Sequence, residues 1–234
     1  MAALALVLAF LPFSGGLMQR CDLEDEGAVC LDGTRYAYGF RQGHGRGRDL
    51  WIIHLQGGAW CATEEECAAR RGSSLGTSSG AWTTLQEPMG AMSDDAETNP
   101  DLHDWNAVWL PYCDGSSFLS DRWSPLSLPS GEALHMRGNS IFTGVIADLL
   151  REKGLDRGRA VVLTGCSSGA LGALLKLDHL QATLAGGGTR VLGLIDAGWF
   201  VDTPEQILRW ARALDVWNAT QHLPSACLAH HGKG

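Results

Sequence analysis

The sequence predicts an α/β fold: a mostly parallel sheet with flanking helices. Three observations carry this. Short apolar runs at 50–55, 106–111, 159–164 and 190–196 have strand character, and each is followed by a segment with helical spacing of apolar residues, the pattern of βαβ units. Glycine is abundant, 30 in 234 residues against a usual ~7%, and several glycines sit where strands end. A composition of 45% hydrophobic and 19% charged residues is that of a globular chain long enough to bury a sizeable core.

In chain order, the run LWIIHL at 50–55 is nearly continuous in apolar character, and Gln56-Gly57-Gly58-Ala59-Trp60-Cys61 ends it. A short helix is expected over 62–70, then a Ser/Gly loop over 71–80 with no room for a core. The strand at 106–111 runs into the polar turn Cys113-Asp114-Gly115-Ser116-Ser117. Ile141, Val145, Ile146, Leu149 and Leu150 share one helical face over 139–153, and Gly154 suits the C-terminal cap. The β-branched run at 159–164 precedes a helix at 171–180. The strand at 190–196 precedes one at 204–216, which opens with proline.

A formal net charge of −8 and the absence of any Lys/Arg-rich stretch remove the counterion-release drive on which nucleic-acid binding depends. Residues 1–13 are almost wholly apolar and Ser14-Gly15-Gly16 follows as a small-x-small site. The run is too short to span a bilayer, which takes ~20 apolar residues. It reads as a secretory leader over 1–16, with a buried first strand as the alternative. Seven cysteines are many for a cytosolic chain, and Cys61 and Cys67 are close enough to bridge a loop. Asn218-Ala219-Thr220 is a glycosylation sequon. Together these predict export. The odd cysteine count leaves at least one free thiol, with Cys166 a candidate.

The pattern G-x-S-x-G places a serine on a sharp strand-to-helix turn, where the helix N-terminus aims N–H groups at a developing oxyanion. It occurs three times here: at 72–76, at 76–80, and at Gly165-Cys166-Ser167-Ser168-Gly169. The first two lie in the Ser/Gly loop, without a strand before or an amphipathic helix after. Only the third has both, so Ser167 is the expected nucleophile. Attack on an ester carbonyl also needs oxyanion donors. By the geometry of such turns these are the N–H after the nucleophile, Ser168, and those of the glycine loop after an earlier strand, Gly58 and Ala59.

Several blocks resemble the pectin acetylesterase family, which includes the Notum-type carboxylesterases. They are Cys30-Leu31-Asp32-Gly33, WIIHLQGGAWC at 51–61, WNAVWLPYCDGSSF at 105–118, GCSSGAL at 165–171, and Asp196-Ala197-Gly198-Trp199-Phe200. They come in the family's order, from about residue 20 to about residue 228. The resemblance implies an α/β-hydrolase-like fold with one esterase domain over 17–234. It also implies secretion to the extracellular space or cell wall, no metal or cofactor, and hydrolysis of acetyl esters on pectin, an acetylated polysaccharide. It assigns the nucleophile to Ser167 and the donors to Gly58, Ala59 and Ser168, and implies the disulfides Cys61–Cys67 and Cys30–Cys113. Removal of a lipid acyl group from a protein is the alternative activity. Two departures bear on the pocket: Gln56 stands where the family usually has glutamate, and Ser168-Gly169-Ala170 where it usually has Ala-Gly-Gly.

A serine needs a general base, normally a histidine oriented by a carboxylate. The family's acid and base lie late in the chain, and family members are much longer. None of Asp178, Asp196, Asp202, Glu205, Asp215, His179, His222, His230 or His231 matches such a position. The triad is therefore expected to be incomplete within these residues, with a catalytically inactive binding protein as a further alternative. Asp178 and His179 read as a helix-surface pair. Arg41, Arg46 and Arg48 read as a solvated loop or a sugar-acid contact, and Trp60, Trp82 and Trp123 as pocket lining or core.

Overall fold

The computed structural model describes residues 18–79 and 90–231. The expected leader at 1–16 and Trp82 lie outside them. A six-stranded sheet organises the chain, built from β1 (Gln19–Asp22), β2 (Ala37–Arg41), β3 (Leu50–Leu55), β4 (Asn106–Leu110), β7 (Ala160–Cys166) and β8 (Arg190–Asp196). The order is β1-β2-β4-β3-β7-β8. The last four strands in that order are parallel to one another, while β1 and β2 join antiparallel at one side. A separate two-stranded ribbon pairs β5 (Leu126–Ser127) with β6 (Ala133–Leu134).

Helices connect the parallel strands, as such crossovers require. These are α1 (Glu64–Arg71), α2 (Gly138–Asp148) and α3 (Ser168–Leu184), with α4 (Pro204–Trp217) and α5 (Ser225–His231) after the last strand. One widened turn over Leu149–Lys153 continues α2, and Gly154, at φ +85°, caps it in the left-handed conformation. The Thr63 hydroxyl caps α1 and the Thr203 hydroxyl caps α4, whose first position is the expected proline.

The sequence reading located the four parallel strands and missed β1 and β2. β1 is four residues long and largely exposed; β2 is buried at all five positions and carries a glycine. Neither shows the alternation or unbroken β-branched run by which a strand is read. β2 is a strand because β4 offers an edge to pair with, and β1 because β2 then offers the next one.

The main core lies on the sheet face that carries Trp51, Ile53, Leu55, Val161 and Leu163, against Phe142 and Val145 of α2 and Ala173 and Leu180 of α3. Side chains alternate across the pleat, so Ile52, Ala107 and Trp109 point to the other face, where they meet Met18 and Met92. A second cluster joins Trp217 and Ala213 of α4 to Cys61, Cys67 and Leu119. Both expected disulfides form. Cys30–Cys113 links positions 83 residues apart and Cys61–Cys67 ties the loop after β3 to α1. Cys21, Cys166 and Cys227 are free. Strand β8 lies at the open edge of the sheet, with Leu192 at 41% and Leu194 at 47% exposure.

Candidate active site

Strand order sets where the site falls. The strand after β3 lies to one side of it and the strand after β7 to the other, so chain exits diverge where β3 and β7 meet. Crevices at the carboxyl ends of parallel strands open at such switch points. Leu55 pairs with Gly165 there, which brings the Gln56–Ala59 loop beside the turn at Ser167.

That turn needs its glycines for space. A Cβ on Gly165 would lie 2.2 Å from the Gly169 carbonyl oxygen, one on Gly169 2.1 Å from that of Leu55, and one on Gly57 2.2 Å from that of Cys166. Strand, turn and helix are thus in backbone contact. Ser167 itself takes φ +56° and ψ −122°, a conformation that costs a non-glycine residue about 1–3 kcal/mol and persists only where its surroundings hold it. Here they do: the Ser167 N–H donates to the Asp196 carbonyl at 3.1 Å, and the Ser167 carbonyl accepts from Ala170 and Leu171 at 3.0 and 3.2 Å. Ser168 is the first residue of α3, so its N–H has no helical acceptor.

The loop after β3 is held from three sides. Gln56 Oε1 accepts the Tyr112 N–H at 2.9 Å, a role any carbonyl oxygen fills, so the neutral amide serves where a glutamate would. Arg70 of α1 donates to the Gly58 carbonyl and lies over the Tyr112 ring at 4.9 Å. Ser168 Oγ accepts the Gly58 N–H at 2.9 Å. Gly58 and Ala59 have φ of +157° and +54°. Of the three expected donors, the N–H groups of Ala59 and Ser168 are uncommitted, whereas that of Gly58 is spent on a hydroxyl. The parts sequence reasoning missed are Arg70 and the Ser168 hydroxyl. The Cys61–Cys67 bridge was the signal for Arg70, because it draws α1 onto this loop.

Further down, Glu66 receives both Arg209 terminal nitrogens at 2.8 Å and the Ala62 N–H. The Arg209 hydrogen bonds, followed by that from Ala62, hold its carboxyl below the usual range. This couples α4 to the base of the loop. Trp60 stacks on Trp210 at 4.3 Å between ring centroids and meets Phe200 edge-on at 5.5 Å, so it is a packing residue. Trp123 is 82% exposed. Arg41 is buried and donates to the Met92 carbonyl at 2.8 Å, which removes it from the solvated loop expected at 41–48.

Burial, and then the nearby Asp196, push the Cys166 thiol up, so it stays protonated beside Ser167. Burial pulls His54 below its ordinary value against the opposing charge of Asp196. Among the described residues no histidine hydrogen-bonds the Ser167 side chain. His222 instead pairs with Asp121 at 2.8 Å. Asn218 is exposed, caps α4 in the left-handed conformation and donates through Nδ2 to the Asp121 carbonyl. The described residues contain no cluster able to hold a metal ion and no helix long and apolar enough to cross a membrane.

A serine on a strained strand-to-helix turn, with a glycine loop opposite on a mostly parallel sheet, defines an α/β-hydrolase-like protein. The solved structure of the Wnt deacylase Notum from Drosophila superimposes with a TM-score of 0.82 at 28% identity, covering 92% of this chain and 64% of that one. The pectinacetylesterase family model matches residues 18–232, and the chain belongs to that family of carboxylesterases. Pectin acetylesterase 11 of Arabidopsis thaliana is 33% identical over 211 residues, 86% of this chain and 52% of that protein. The palmitoleoyl-protein carboxylesterase notum1 of Xenopus laevis is 35% identical over 192 residues, 78% of this chain and 37% of that protein. The chain spans about half the length, or less, of the curated relatives it matches.

Proposed function

We propose that this chain carries the nucleophile of a secreted carboxylesterase that removes acetyl groups from a pectin-type polysaccharide, with Ser167 attacking the ester carbonyl. The observation that carries the reading is the Ser167 backbone, held at φ +56° at the junction of β7 and α3 beside the free N–H groups of Ala59 and Ser168. Preorganised donors of this kind are each worth about 3 kcal/mol of transition-state stabilisation. Attack forms a bond from Ser167 Oγ to the acyl carbon and moves charge onto the carbonyl oxygen. Collapse expels the sugar hydroxyl and leaves an acyl-serine for water to cleave. A base must take the Ser167 proton, and the described residues bring none to it. The two disulfides and the secreted character expected of such chains support an extracellular location. Asn218, exposed after α4, is the proposed glycosylation site.

Fluorophosphonate labelling followed by peptide mapping, on a chain extended to include the segment that supplies the general base, tests this directly. The label is expected on Ser167 and absent from Ser167→Ala; a label that survives the substitution overturns the assignment. Removal of a fatty acyl group from a protein is the second reading, favoured by the structural match to Notum. Faster turnover of octanoyl than acetyl model esters would select it. A protein that neither labels nor turns over either ester is a binding protein built on this fold.

A further inference from the structure

Arg70 stands in the last turn of α1, three residues after Cys67. Residues at that spacing share a helix face, and the Cys61–Cys67 bridge ties this face to the loop after β3. The Arg70 guanidinium lies over the Tyr112 ring at 4.9 Å and donates through Nη2 to the Gly58 carbonyl. The fully buried Asp114 carboxyl is within electrostatic reach: burial pushes it up, while hydrogen bonds from Ser116 and Phe118, and then the Arg70 charge, hold it down.

The Gly58 carbonyl and the Ala59 N–H belong to one peptide unit. Such a unit is planar and trans, so its C=O and N–H point in opposite directions. With the carbonyl drawn to α1, the Ala59 N–H faces away from α1. The loop meets α1 and the Ser167 turn through different atoms. A Cβ on Gly58 would lie 3.1 Å from the Tyr112 ring that Arg70 covers, whereas one on Gly57 would lie 3.2 Å from Ser167 Cβ. Local preference does not hold this arrangement. Ala59 has φ +54°, a left-handed conformation that costs an L-residue roughly 1–2 kcal/mol. Turning the peptide over would carry Ala59 from φ +54° to about −126°, in the favoured β region, and glycine at 58 tolerates the matching change. Something outside the loop has to oppose that turn.

We propose that Arg70 is a positioning residue, whose hydrogen bond to the Gly58 carbonyl holds the Gly58–Ala59 peptide with the Ala59 N–H toward Ser167, where it receives the oxyanion. This rests on Ser167 being the nucleophile. A turned peptide would present the Gly58 carbonyl oxygen to the developing charge, an acceptor in place of a donor. The charge on Arg70 adds to orientation, because a charge-assisted hydrogen bond on the carbonyl polarises the peptide and strengthens its N–H as a donor.

Inactivation by a fluorophosphonate, followed on the chain extended to include its general base, separates the rate of bond formation, kinact, from reversible binding, KI, and from the fraction of protein that labels. Arg70→Met, of similar length but without donors, is expected to lower kinact about 30-fold, short of the ~10²–10³ for outright loss of an oxyanion donor, with KI and the labelled fraction unchanged. Arg70→Lys keeps a charged donor and should stay within about threefold of the wild type. Arg70→Gln keeps a neutral one, is expected to lose about tenfold, and stands in if Arg70→Met does not fold. A crystal structure of the Met or Gln variant should show the peptide turned over, with Ala59 at negative φ. A purely structural role would instead reduce the labelled fraction at constant kinact. That result, an unchanged kinact, or an unturned peptide in a variant would each overturn the proposal. A wild type that does not label at Ser167 overturns the nucleophile assignment and with it the catalytic use of Arg70, while the variant crystal structure still decides whether Arg70 holds the peptide.

Discussion

Ser168 Oγ accepts the N–H of Gly58 at 2.9 Å, joining the start of α3 to a loop 110 residues away in sequence. The bond fixes the glycine loop after β3 against the first turn of α3. Donors that face an oxyanion must be in place before the charge develops, and under the proposed function this contact would hold the N–H groups of Ala59 and Ser168 in place. The hydroxyl belongs to the residue after the expected nucleophile, one of the positions where the chain departs from its relatives.

Ser168→Ala is therefore expected to lower stability by about 1 kcal/mol, the cost of leaving a part-buried N–H without its partner, measured by urea denaturation. Fluorophosphonate labelling at Ser167 should persist. A variant that keeps its denaturation midpoint would show that the bond contributes nothing to the fold.

Gly169→Ala tests the close packing of the turn. Its Cβ would stand 2.1 Å from the Leu55 carbonyl oxygen, and backbone cannot yield as a side-chain tip does. A loss of about 3 kcal/mol, the upper range for overpacking, is expected by chemical denaturation. Gly72→Ala, in the loop motif with nothing within 4 Å of its Cβ, should change stability by less than about 0.5 kcal/mol.

The two disulfides close very different loops, of 83 and 6 residues. The chain-entropy relation gives about 4.5 kcal/mol for the first and roughly 2 kcal/mol for the second. Replacing Cys30 and Cys113 together by alanine should thus lower the melting temperature more than replacing Cys61 and Cys67. The reverse order would show that the short bridge acts through the native loop and not through the unfolded chain.

Lys176 makes stability depend on alkaline pH. Its folded value of about 8 lies below the ordinary 10.5, chiefly through burial and against the opposing charges of Asp114 and Asp121. His179 faces it from the same helix and is pulled down by burial and then by Lys176 and His222; the exposed Asp178 lies between the two in sequence. Between pH 8 and 10.5 the unfolded chain holds the proton that the folded chain has released, so this residue's contribution to stability rises with pH through that window. The full gain is about 3 kcal/mol. Comparing wild type with Lys176→Met by urea titration across the window isolates it, and parallel curves would contradict it.

The parallel strands were legible because each is a run of apolar residues bounded by glycine or polar turns, and such runs declare themselves locally. The turn at Ser167 was legible for the same reason: its motif sits between a strand and a helix, and the competing motifs do not. β2 and the Ser168–Gly58 contact were not, because each depends on a partner far along the chain. Arg41 shows the limit. Its neighbours Arg46 and Arg48 suggest a solvated loop, yet the pairing of β2 with β4 carries it into the interior.

Sequence by itself determined the fold class, the strand-to-helix turn at Ser167 and, through the family blocks, both disulfide pairings, since these rest on residue types at short spacing or in a shared order. Tertiary structure decided which of the backbone N–H groups beside Ser167 are free, which tryptophan packs and which arginine is buried. It also set the Arg70 guanidinium against the Gly58 carbonyl. Hydrogen bonds are claimed by whichever group arrives within about 3 Å with the right geometry, and that arrival is settled only when distant segments are folded against one another.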